Sequence, residues 1–422
     1  MSDLFAELEW RGFVHHATQE IGAHLAAAAR TVYCGFDPTA PSLQLGNLMP
    51  LMLLRHFQLA GHTPIVLMGG GTGLIGDPSG KRGERPLLSK EQIRENLQRQ
   101  RDQTARLLDF DGPAPALVLN NADWLVKQSL VDFLRDVGKH FSVNIMLQKE
   151  SVKARLDTGI SYTEFSYMLL QAYDFLHLFR ERRCTIQVGG SDQWGNITAG
   201  IDLIRRVAGG EAHGLVAPLV TMASGAKFGK TEAGAIWLDP ALTSPYKLYQ
   251  FWMNTDDRDA EPYLKLFTLL SQDEIKALLK SHHKDPSRRE AQKKLAIEVT
   301  QLVHGKDACN SAVAASAILF EEFSPREVEP GAFDALAQEI PAVALESSDG
   351  LTLVDAVVRA GLAKSKSEAR RQIEQGGVYV NQQRVKDVDR TLDPSDWLAG
   401  RNLLLRKGKK DYALLRVAGE RS

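Results

Sequence analysis

The stretch Thr31-Val-Tyr-Cys-Gly-Phe-Asp-Pro-Thr-Ala-Pro-Ser-Leu-Gln-Leu-Gly-Asn-Leu48 decides the fold. Residues 31–36 alternate as a β-strand does, and Asp37-Pro38-Thr39 ends that strand before an apolar helical run begins near Asn47. A strand that leads into a helix in this way directs backbone N–H groups and the positive end of a helix dipole at one place. The stretch therefore predicts either a phosphate-binding junction or an ordinary strand-to-helix connection.

Three further segments repeat this arrangement of a strand followed by polar residues. Residues 65–68, 116–119 and 185–188 are short apolar runs, and segments with helical spacing separate them. The second run ends in Asn120-Asn121-Ala122-Asp123-Trp124, and the third ends in Gly189-Gly-Ser-Asp-Gln-Trp-Gly-Asn196. Strands that alternate with helices and end in this way predict an α/β fold with a doubly wound parallel sheet, and a ligand at the carboxyl ends of its strands.

A glycine-rich loop follows the strand at 65–68. Gly71, Gly73 and Gly76 match the Gly-x-Gly-x-x-Gly pattern of dinucleotide-binding units. In such units the last glycine lies inside a starting helix, whereas Asp77-Pro78 interrupts a helix at once in this chain. We interpret the loop as a bend that lets backbone approach a ligand. The alternative, a nicotinamide-dependent oxidoreductase, rests on these three glycines alone.

The segment 159–174 is predicted to form a helix with one polar face. Tyr167, Gln171 and Asp174 follow one another at i, i+4 and i+7, so they share that face. Their neighbours are mostly large and apolar, which favours a pocket over an exposed surface for the three polar side chains.

Two loops carry positive charge between glycines. Lys81 and Arg85 stand near Gly80 and Gly83, and Lys227 and Lys230 stand among Gly225, Gly229 and Gly234. Loops of this composition are able to close positive charge over a phosphate chain. Solvated surface lysines are the alternative interpretation of both loops.

Composition and cysteine spacing narrow the classes of protein. The chain has 422 residues, of which 44% are hydrophobic and 24% charged, so it is long enough for two or three globular domains. Cys34, Cys184 and Cys309 have neither disulfide-framework nor zinc spacing, so we predict no structural metal. No uninterrupted apolar run reaches membrane-spanning length, and we expect a cytoplasmic protein.

The chain is predicted to divide into four parts. Residues 1–245 form the α/β domain, residues 246–321 a helical domain, residues 322–349 a proline-containing linker, and residues 350–422 a small α+β domain. This last part holds 15 Lys and Arg against 9 Asp and Glu, although the whole chain has a net charge of −1. A basic C-terminal domain suggests a polyanionic partner, and solvated surface charge is the alternative.

Five separated stretches together closely resemble the bacterial tyrosyl-tRNA synthetases, which are class I aminoacyl-tRNA synthetases. These stretches are Tyr33-Cys-Gly-Phe-Asp-Pro-Thr39, Thr72-Gly-Leu-Ile-Gly-Asp-Pro78, Thr163-Glu-Phe-Ser-Tyr167 with Gln171 and Asp174, Gly189-Gly-Ser-Asp-Gln-Trp-Gly-Asn196, and Lys227-Phe-Gly-Lys-Thr231. The segment from Leu351 resembles an RNA-binding domain that is shared with a ribosomal protein of the small subunit. The resemblance spans nearly the whole chain and rests on the order and spacing of the motifs together.

The resemblance implies a three-part enzyme with a Rossmann-like catalytic domain, a helical anticodon-side domain and a terminal RNA binder. Its implied activity is that of an ATP-dependent tyrosine–tRNA ligase, which forms tyrosyl-adenylate and pyrophosphate and then transfers tyrosine to the 3′ end of its tRNA. The implied partners are a tyrosine-accepting tRNA, ATP with Mg²⁺, L-tyrosine and a second copy of the chain. We expect neither an editing domain nor a protein-bound structural metal.

The resemblance also implies roles for individual residues. Tyr33 and Asp174 would bond the phenol hydroxyl of tyrosine, and the full tyrosine-binding set is Tyr33, Asp77, Tyr167, Gln171, Asp174 and Gln193. ATP and the adenylate would be bound by Cys34, Gly35, Asp37, Gln44, Asn47, Gly190, Asp192 and Lys230. The predicted catalytic set is Lys81, Arg85, Lys227, Lys230, Thr39, Gln44 and Asn47. The predicted RNA-binding set is Lys366, Arg370, Arg371, Arg406, Lys407, Lys409 and Lys410.

Two motifs depart from the family. Its members usually carry His-x-Gly-His at the first helix, whereas this chain has Gln44-Leu-Gly-Asn47. The two imidazoles are inferred to donate hydrogen bonds to the phosphates of ATP, and because side-chain amides also donate, we hypothesise that Gln44 and Asn47 still serve ATP. In the terminal domain, Asn381-Gln382 replaces a common Asn-Gly turn, which leaves the geometry of that turn open.

Loss of both histidines allows a second interpretation of the whole chain. In that interpretation the chain is a catalytically reduced synthetase relative that acts as an RNA-binding protein through its basic C-terminal domain. The complete tyrosine pocket and the intact loop at Lys227–Thr231 favour the ligase. Tryptophan as the substrate is a nearer alternative, which the pair of Tyr33 and Asp174 disfavours.

Overall fold

The computed structural model describes residues 3–79, 88–153, 155–157, 159–231, 234–320 and 330–417. The chain forms two compact units, of which the first comprises Met1–Thr243 with Thr255–Glu298 and the second comprises Ser244–Asn254 with Val299–Ser422. Across the described residues, no helix combines the length and the apolar character that a membrane span requires.

The helices and strands are numbered in chain order. The helices are α1 Leu4–Arg11, α2 Ile21–Ala27, α3 Leu45–Leu59, α4 Lys90–Thr104, α5 Ala122–Leu125, α6 Leu130–Asp136, α7 Val143–Gln148, α8 Glu150–Lys153, α9 Tyr162–Arg182, α10 Trp194–Ala208, α11 Pro245–Met253, α12 Asp257–Phe267, α13 Gln272–His282, α14 Glu290–His304, α15 Lys306–Phe320, α16 Pro330–Ala337, α17 Leu353–Arg359 and α18 Lys366–Glu374. The strands are β1 His16–Ala17, β2 Thr31–Phe36, β3 Thr63–Met68, β4 Leu117–Asn120, β5 Cys184–Gly190, β6 His213–Ala217, β7 Lys230–Thr231, β8 Gly234–Ala235, β9 Ala342–Leu345, β10 Val378–Val380, β11 Gln383–Val385, β12 Asn402–Lys407 and β13 Asp411–Val417.

The sheet of the first unit has the predicted α/β architecture. Its strand order is β1-β6-β5-β2-β3-β4, and all neighbours are parallel except β1, which pairs antiparallel with β6. The order reverses between β2 and β5, because β3 and β4 extend from one side of β2 while β5 and β6 extend from the other. In open parallel sheets such a reversal leaves a crevice at the carboxyl ends of the two strands.

The helix predicted over 159–174 is longer in the structure. In α9, the side chain of Ser161 accepts a hydrogen bond from the backbone N–H of Glu164 at 3.3 Å, and this cap starts the helix. The helix runs for 21 residues and ends where Arg183 adopts a left-handed conformation with φ of 52°. Tyr167, Gln171 and Asp174 all lie within this helix, so their predicted common face is present in the structure.

The glycines of the loop after β3 make room for side chains. A Cβ on Gly69 would lie 2.0 Å from Oδ1 of Asp37, and a Cβ on Gly70 would lie 2.2 Å from Oδ1 of Asn120. The loop then makes a single 3₁₀ turn at Thr72–Leu74 in place of the long helix of a dinucleotide-binding unit. The glycines thus let the side chain that follows β2 and the last side chain of β4 approach the backbone of this loop.

The second unit contains a five-stranded sheet with the order β11-β10-β12-β13-β9. Residues 330–345, which fall in the predicted linker, instead form α16 and β9. A helix forms here for two reasons. Pro330 is its first residue, a position at which a helix tolerates proline, and its side chains Phe333 and Leu336 are fully buried. Strand β9 then pairs with β13 in parallel, so this segment belongs to the packed sheet.

Candidate active site

A cavity of about 390 Å³ lies at the carboxyl ends of β2 and β5. Its lining includes most of the residues that the sequence predicted for one site: Tyr33, Cys34, Gly35, Asp37, Thr39, Gln44, Asn47, Asp77, Tyr167, Gln171, Asp174, Gly190, Asp192 and Gln193. These residues come from four separated stretches of the chain, and the reversal of strand order brings them together. The cavity is therefore the candidate active site.

Tyr33 and Asp174 belong to the buried part of this lining. The hydroxyl of Tyr33 is buried and makes no hydrogen bond to any described residue. Each carboxylate oxygen of Asp174 already accepts one bond, from Nδ2 of Asn121 at 2.8 Å and from Nε1 of Trp124 at 2.7 Å. A carboxylate oxygen has a second lone pair, so Asp174 keeps acceptor capacity for a ligand.

Burial controls the acidity of these two groups. It raises the pKa of Asp174 to about 7, although the hydrogen bonds from Asn121 and Trp124 act in the opposite direction. Burial, and secondarily the charge of Asp174, raises the pKa of Tyr33 well above its usual value, so this phenol stays neutral. The pair thus combines a neutral hydroxyl with a carboxyl group that titrates near neutral pH.

A second cluster joins Asp77 to amide side chains. Oδ2 of Asp77 accepts from Nε2 of Gln193 at 2.7 Å, and Oε1 of Gln193 accepts from Nε2 of Gln171 at 3.2 Å. Nδ2 of Asn196 donates to both glutamine oxygens, at 3.1 Å to Gln171 and 3.2 Å to Gln193. The cluster has one carboxylate and a set of donors and acceptors that can re-pair around a ligand.

Asp37 connects Tyr167 to the residues around Asp174. Its Oδ2 accepts from the hydroxyl of Tyr167 at 2.9 Å, and its Oδ1 accepts from Oγ1 of Thr72 at 2.7 Å. Nδ2 of Asn121 donates to Oγ1 of Thr72 at 2.9 Å, so a continuous network runs from Asp174 to Tyr167. Asp37, predicted to bind ATP, therefore also contacts a residue predicted to bind tyrosine.

The tetrad that replaces the histidines opens α3. Oδ1 of Asn47 accepts from the backbone N–H of Gln44 at 2.8 Å, as the third residue of a capping box does. Because only the oxygen of the amide accepts, this bond fixes the orientation of the side chain and leaves Nδ2 of Asn47 as a donor. Both residues line the cavity, so this donor is available to a ligand there.

The loop that contains Lys227 and Lys230 lies beside the start of α3. A Cβ on Gly229 would lie 3.1 Å from Cβ of Leu45, and the backbone N–H of Leu45 donates to the carbonyl of Ile236 at 2.9 Å. The ring of Phe228 stacks on Phe267 with 5.1 Å between ring centroids. Lys227 and Lys230 are exposed and do not line the cavity, while Lys81 and Arg85 lie outside the described residues.

Cys34 and Gly190 line the same cavity near Asp192. Burial raises the pKa of the Cys34 thiol to about 12, so this group is a thiol near neutral pH and acts only as a polar contact. A Cβ on Gly190 would lie 2.6 Å from Oδ1 of Asp192, so the missing side chain lets that carboxylate approach the backbone.

Sequence reasoning assigned no role to several residues of the network. They are Thr72, Ser79, Asn121, Trp124, Gln187 and Asn196. Asn121 and Trp124 were detectable, because they follow a predicted strand at its carboxyl end as the assigned residues do. Asn196 lies three residues after Gln193 in α10, but nothing in its spacing indicated an inward direction.

The predicted RNA-binding residues differ in their contacts. Lys366 pairs with Asp355 at 2.6 Å, and Arg370 lies 3.7 Å from Asp389. Nζ of Lys407 donates to the backbone carbonyl of Leu362 at 2.9 Å. Arg371, Lys409 and Lys410 are exposed and form no ion pair with a described residue. The charge most open to a polyanion is therefore that of the last three.

Comparison with known proteins identifies relatives along the whole chain. Residues 26–321 match the family model of tRNA synthetases class I (W and Y), and residues 332–415 match the tyrosine–tRNA ligase SYY-like C-terminal domain. The tyrosine–tRNA ligase of Roseiflexus castenholzii is 52% identical over 99% of this chain and 100% of its own, and that of Bacillus caldotenax is 52% identical with the same coverage. The solved structure of a C-terminally truncated mitochondrial tyrosyl-tRNA synthetase from Aspergillus nidulans is 31% identical, with a TM-score of 0.70 over 76% of this chain and 95% of that one.

The two donors to Asp174 generate a prediction about its acidity. Trp124→Phe removes the indole N–H that bonds Oδ1, and because this bond favours the ionised carboxylate, we expect its loss to raise the pKa of Asp174 above its present value of about 7. The carboxyl carbon of Asp174, followed by NMR across a pH titration, measures this value. Trp10→Phe, a substitution of the same kind beside Lys265, is the control. Equal titration curves for both variants would contradict the assigned cause.

Proposed function

The chain belongs to the class I tyrosyl-tRNA synthetases and is an ATP-dependent tyrosine–tRNA ligase, and we propose a role for each group of side chains in its cavity. In the first step the carboxylate of tyrosine attacks the α-phosphorus of ATP, and pyrophosphate leaves. In the second step the tyrosyl group passes from the adenylate to the 3′ end of tRNA. Positioning and positive charge on the developing oxyanions are the main requirements of the first step.

The phenol end of tyrosine belongs at Tyr33 and Asp174. The observation that carries this assignment is the buried Tyr33 hydroxyl, which lacks a hydrogen-bond partner among the described residues. A ligand hydroxyl supplies that partner and bonds Asp174 as well. Phenylalanine leaves the Tyr33 hydroxyl without a hydrogen-bond partner and the remaining acceptor capacity of Asp174 unused. Tyrosyl-tRNA synthetases are the standard example of selection against phenylalanine by this loss.

The ammonium end of tyrosine belongs at Asp77, Tyr167, Gln171 and Gln193. Asp77 is buried and accepts a hydrogen bond from Gln193, and Asp37 accepts one from the hydroxyl of Tyr167. An ammonium group in this part of the cavity offsets the charge of these two carboxylates and donates hydrogen bonds to the acceptors there. This assignment sets the direction of tyrosine, with its carboxylate toward the opening of α3.

ATP occupies the part of the cavity that α3 and the residues after β5 enclose. Cys34, Gly35, Asp37, Gly190 and Asp192 contact the ribose and the adenylate, and Thr39, Gln44 and Asn47 face the phosphates. Positive charge for the leaving pyrophosphate comes from Lys81, Arg85, Lys227 and Lys230. The closing of the loop that holds Lys227 and Lys230 brings these exposed amines to the cavity.

Magnesium accompanies ATP in this proposal. Within the described residues, no group of three or more His, Cys, Asp and Glu side chains is placed to hold a metal ion. A Mg²⁺ ion that keeps several waters and binds mainly through phosphate oxygens fits this donor set. When bound it supplies positive charge to the phosphate chain, while the side chains named above orient both substrates.

The remaining parts of the proposal concern tRNA and the setting of the reaction. Residues 1–245 form the catalytic domain, 246–321 the anticodon-side domain and 350–422 the RNA-binding domain. Basic side chains of the last domain contact phosphates of a tyrosine-accepting tRNA, and they are Lys366, Arg370, Arg371, Arg406, Lys407, Lys409 and Lys410.

Three buried cysteines without a disulfide fit a reducing compartment, so we place the enzyme in the cytoplasm.

Exchange of pyrophosphate into ATP tests the site directly. With each amino acid offered in turn and Mg²⁺ present, we expect exchange with tyrosine and far less with phenylalanine or tryptophan. In Tyr33→Phe the preference for tyrosine over phenylalanine narrows, because the variant buries no unpaired hydroxyl. A protein that bound tRNA but catalysed no exchange with any amino acid would instead be the RNA-binding relative.

The amide that replaces the second histidine has a specific test. Asn47→Asp keeps the oxygen that caps the backbone N–H of Gln44 but removes the Nδ2 donor and adds negative charge near the phosphates. We therefore expect a loss of at least about tenfold in the exchange rate with an unchanged unfolding midpoint. Asn47→His, which restores a side-chain donor, is the matched control. Equal exchange rates in Asn47→Asp and the parent would exclude a role for this donor.

A homodimer accounts for the apolar side chains that the first unit exposes. Large apolar residues are exposed on α6, on α7 and at the start of α9, and they include Leu130, Val131, Leu134, Val143, Ile145 and Tyr162. We expect Val131→Glu combined with Ile145→Glu to shift sedimentation from dimer to monomer, because each introduced charge would be buried in the interface. Leu59→Glu, at an exposed apolar residue that ends α3, is the control. A parent chain that sediments as a monomer would contradict the proposal.

A further inference from the structure

The turn between β10 and β11 has a backbone that glutamine rarely adopts. Val380 pairs with Gln383, so the hairpin loop consists of Asn381 and Gln382 alone. Their φ angles are 47° and 66°, so both residues are in the left-handed region that a type I′ turn, usually formed by Asn-Gly, requires. The second position of this turn is therefore left-handed without a glycine. A left-handed conformation is strained for a non-glycine residue such as Gln382.

The side chain of Gln382 makes two bonds that glycine lacks. Its Nε2 donates to the backbone carbonyl of Ile318 at 2.8 Å, and its Oε1 accepts from Nε of Arg406 at 3.0 Å. Ile318 lies in the last turn of α15, where carbonyls have no partner within the helix. The hydroxyl of Tyr412 donates to the next such carbonyl, that of Leu319, at 2.8 Å. Two side chains of the terminal sheet thus cap the end of α15.

Arg406 completes this contact. Its guanidinium carbon lies 3.7 Å from the ring centroid of Tyr379 and 5.9 Å from that of Tyr412. Its NH1 donates to the carbonyl of Gly408 at 2.7 Å. A cation that is stacked and bonded in this way holds Gln382 in place, which distinguishes it from the exposed Lys409 and Lys410 of the same turn.

The segment before the terminal domain reinforces the same junction. A Cβ on Gly331 would lie 2.8 Å from Oγ of Ser311, so α16 packs closely on α15. Strand β9 then extends the terminal sheet, and Asp334 of α16 accepts from NH2 of Arg416 at 2.5 Å. The terminal sheet is therefore attached to α15 by α16 as well as by Gln382 and Tyr412.

We propose that Gln382 is a positioning residue that fixes the C-terminal RNA-binding domain on the end of α15, so that tRNA meets a preorganised surface. The proposal rests on the proposed RNA-binding function of residues 350–422. A domain that is already docked loses less conformational freedom when tRNA binds, and this difference enters the affinity for tRNA. Gln382 is not among the residues that line the tyrosine cavity, so we expect amino-acid activation not to depend on it.

Gln382→Gly tests the proposal, because it restores the Asn-Gly turn and removes only the side chain. Glycine adopts the left-handed conformation without strain, and this gain offsets the lost hydrogen bonds, so we expect the variant to fold. The expected result is a rise of about three- to tenfold in the KM for tRNA in aminoacylation, with the rate of ATP–pyrophosphate exchange unchanged. Faster amide hydrogen exchange at the end of α15 is expected alongside. An unchanged KM for tRNA would overturn the proposal.

Two further variants keep the outcome interpretable. Tyr412→Phe removes the second cap on α15 and is expected to raise the KM for tRNA in the same direction, again without an effect on pyrophosphate exchange. Lys409→Ala combined with Lys410→Ala tests the RNA-binding function itself. If this pair raises the KM for tRNA while Gln382→Gly does not, the positioning role fails and the RNA-binding function stands. If neither changes the KM, the RNA-binding function of the domain fails, and the positioning role fails with it.

Discussion

The amide of Asn121 is the contact on which the rest of the cavity depends. This side chain is 1% exposed, and its two N–H groups donate to Asp174 and Thr72 while its oxygen accepts from the backbone N–H of Gly71 at 2.7 Å. One buried residue thus joins the loop after β3, the loop after β4 and the middle of α9. The cost of leaving any of these polar groups unpaired in a buried place explains why the three segments meet in a fixed register.

Negative charge lies around one end of the cavity, so the two ends of the cavity differ in charge. Asp37, Asp77 and Asp174 place carboxyl groups around the end that we assign to tyrosine, and each receives hydrogen bonds from neutral donors. A neutral donor does not cancel the negative charge of an ionised carboxylate, so this end of the cavity favours an ammonium group. Positive charge lies on loops instead, on Lys227 and Lys230, which are exposed and outside the lining. In the function that we propose, Lys227 and Lys230 reach the phosphate chain of ATP after their loop has moved.

The sequence predicts four strands of the first sheet, but not β1 and β6, and it predicts most of the cavity, because these features depend on local patterns. Apolar runs of strand length followed by polar residues locate β2, β3, β4 and β5, and the carboxyl-end rule then collects the side chains that line the cavity. What depends on distant packing is not visible in this way. The inward direction of Asn196 follows from its hydrogen bonds to two glutamine side chains, and spacing along the sequence does not indicate it. Arg406 has the sequence context of an exposed cation, but its guanidinium stacks on the ring of Tyr379. The sequence alone places Pro330 in a linker, because a proline that opens a helix has the same local pattern as a proline that breaks one.

The two places where this chain departs from its family have a common physical explanation. At Asn47 an amide replaces an imidazole, and at Gln382 an amide replaces the missing side chain of glycine. A side-chain amide carries an acceptor and a donor on the same rigid group, so one end can bond a neighbour and the other remains directed at a partner. Oδ1 of Asn47 caps the start of α3, which aims the opposite N–H₂ group into the cavity. Oε1 of Gln382 takes the hydrogen bond of Arg406, which aims its N–H₂ group at α15. In both places the group that donates to the amide oxygen fixes the direction of the amide N–H₂ group. Neither an ion pair nor a change of protonation near neutral pH is needed to keep the amide in this orientation.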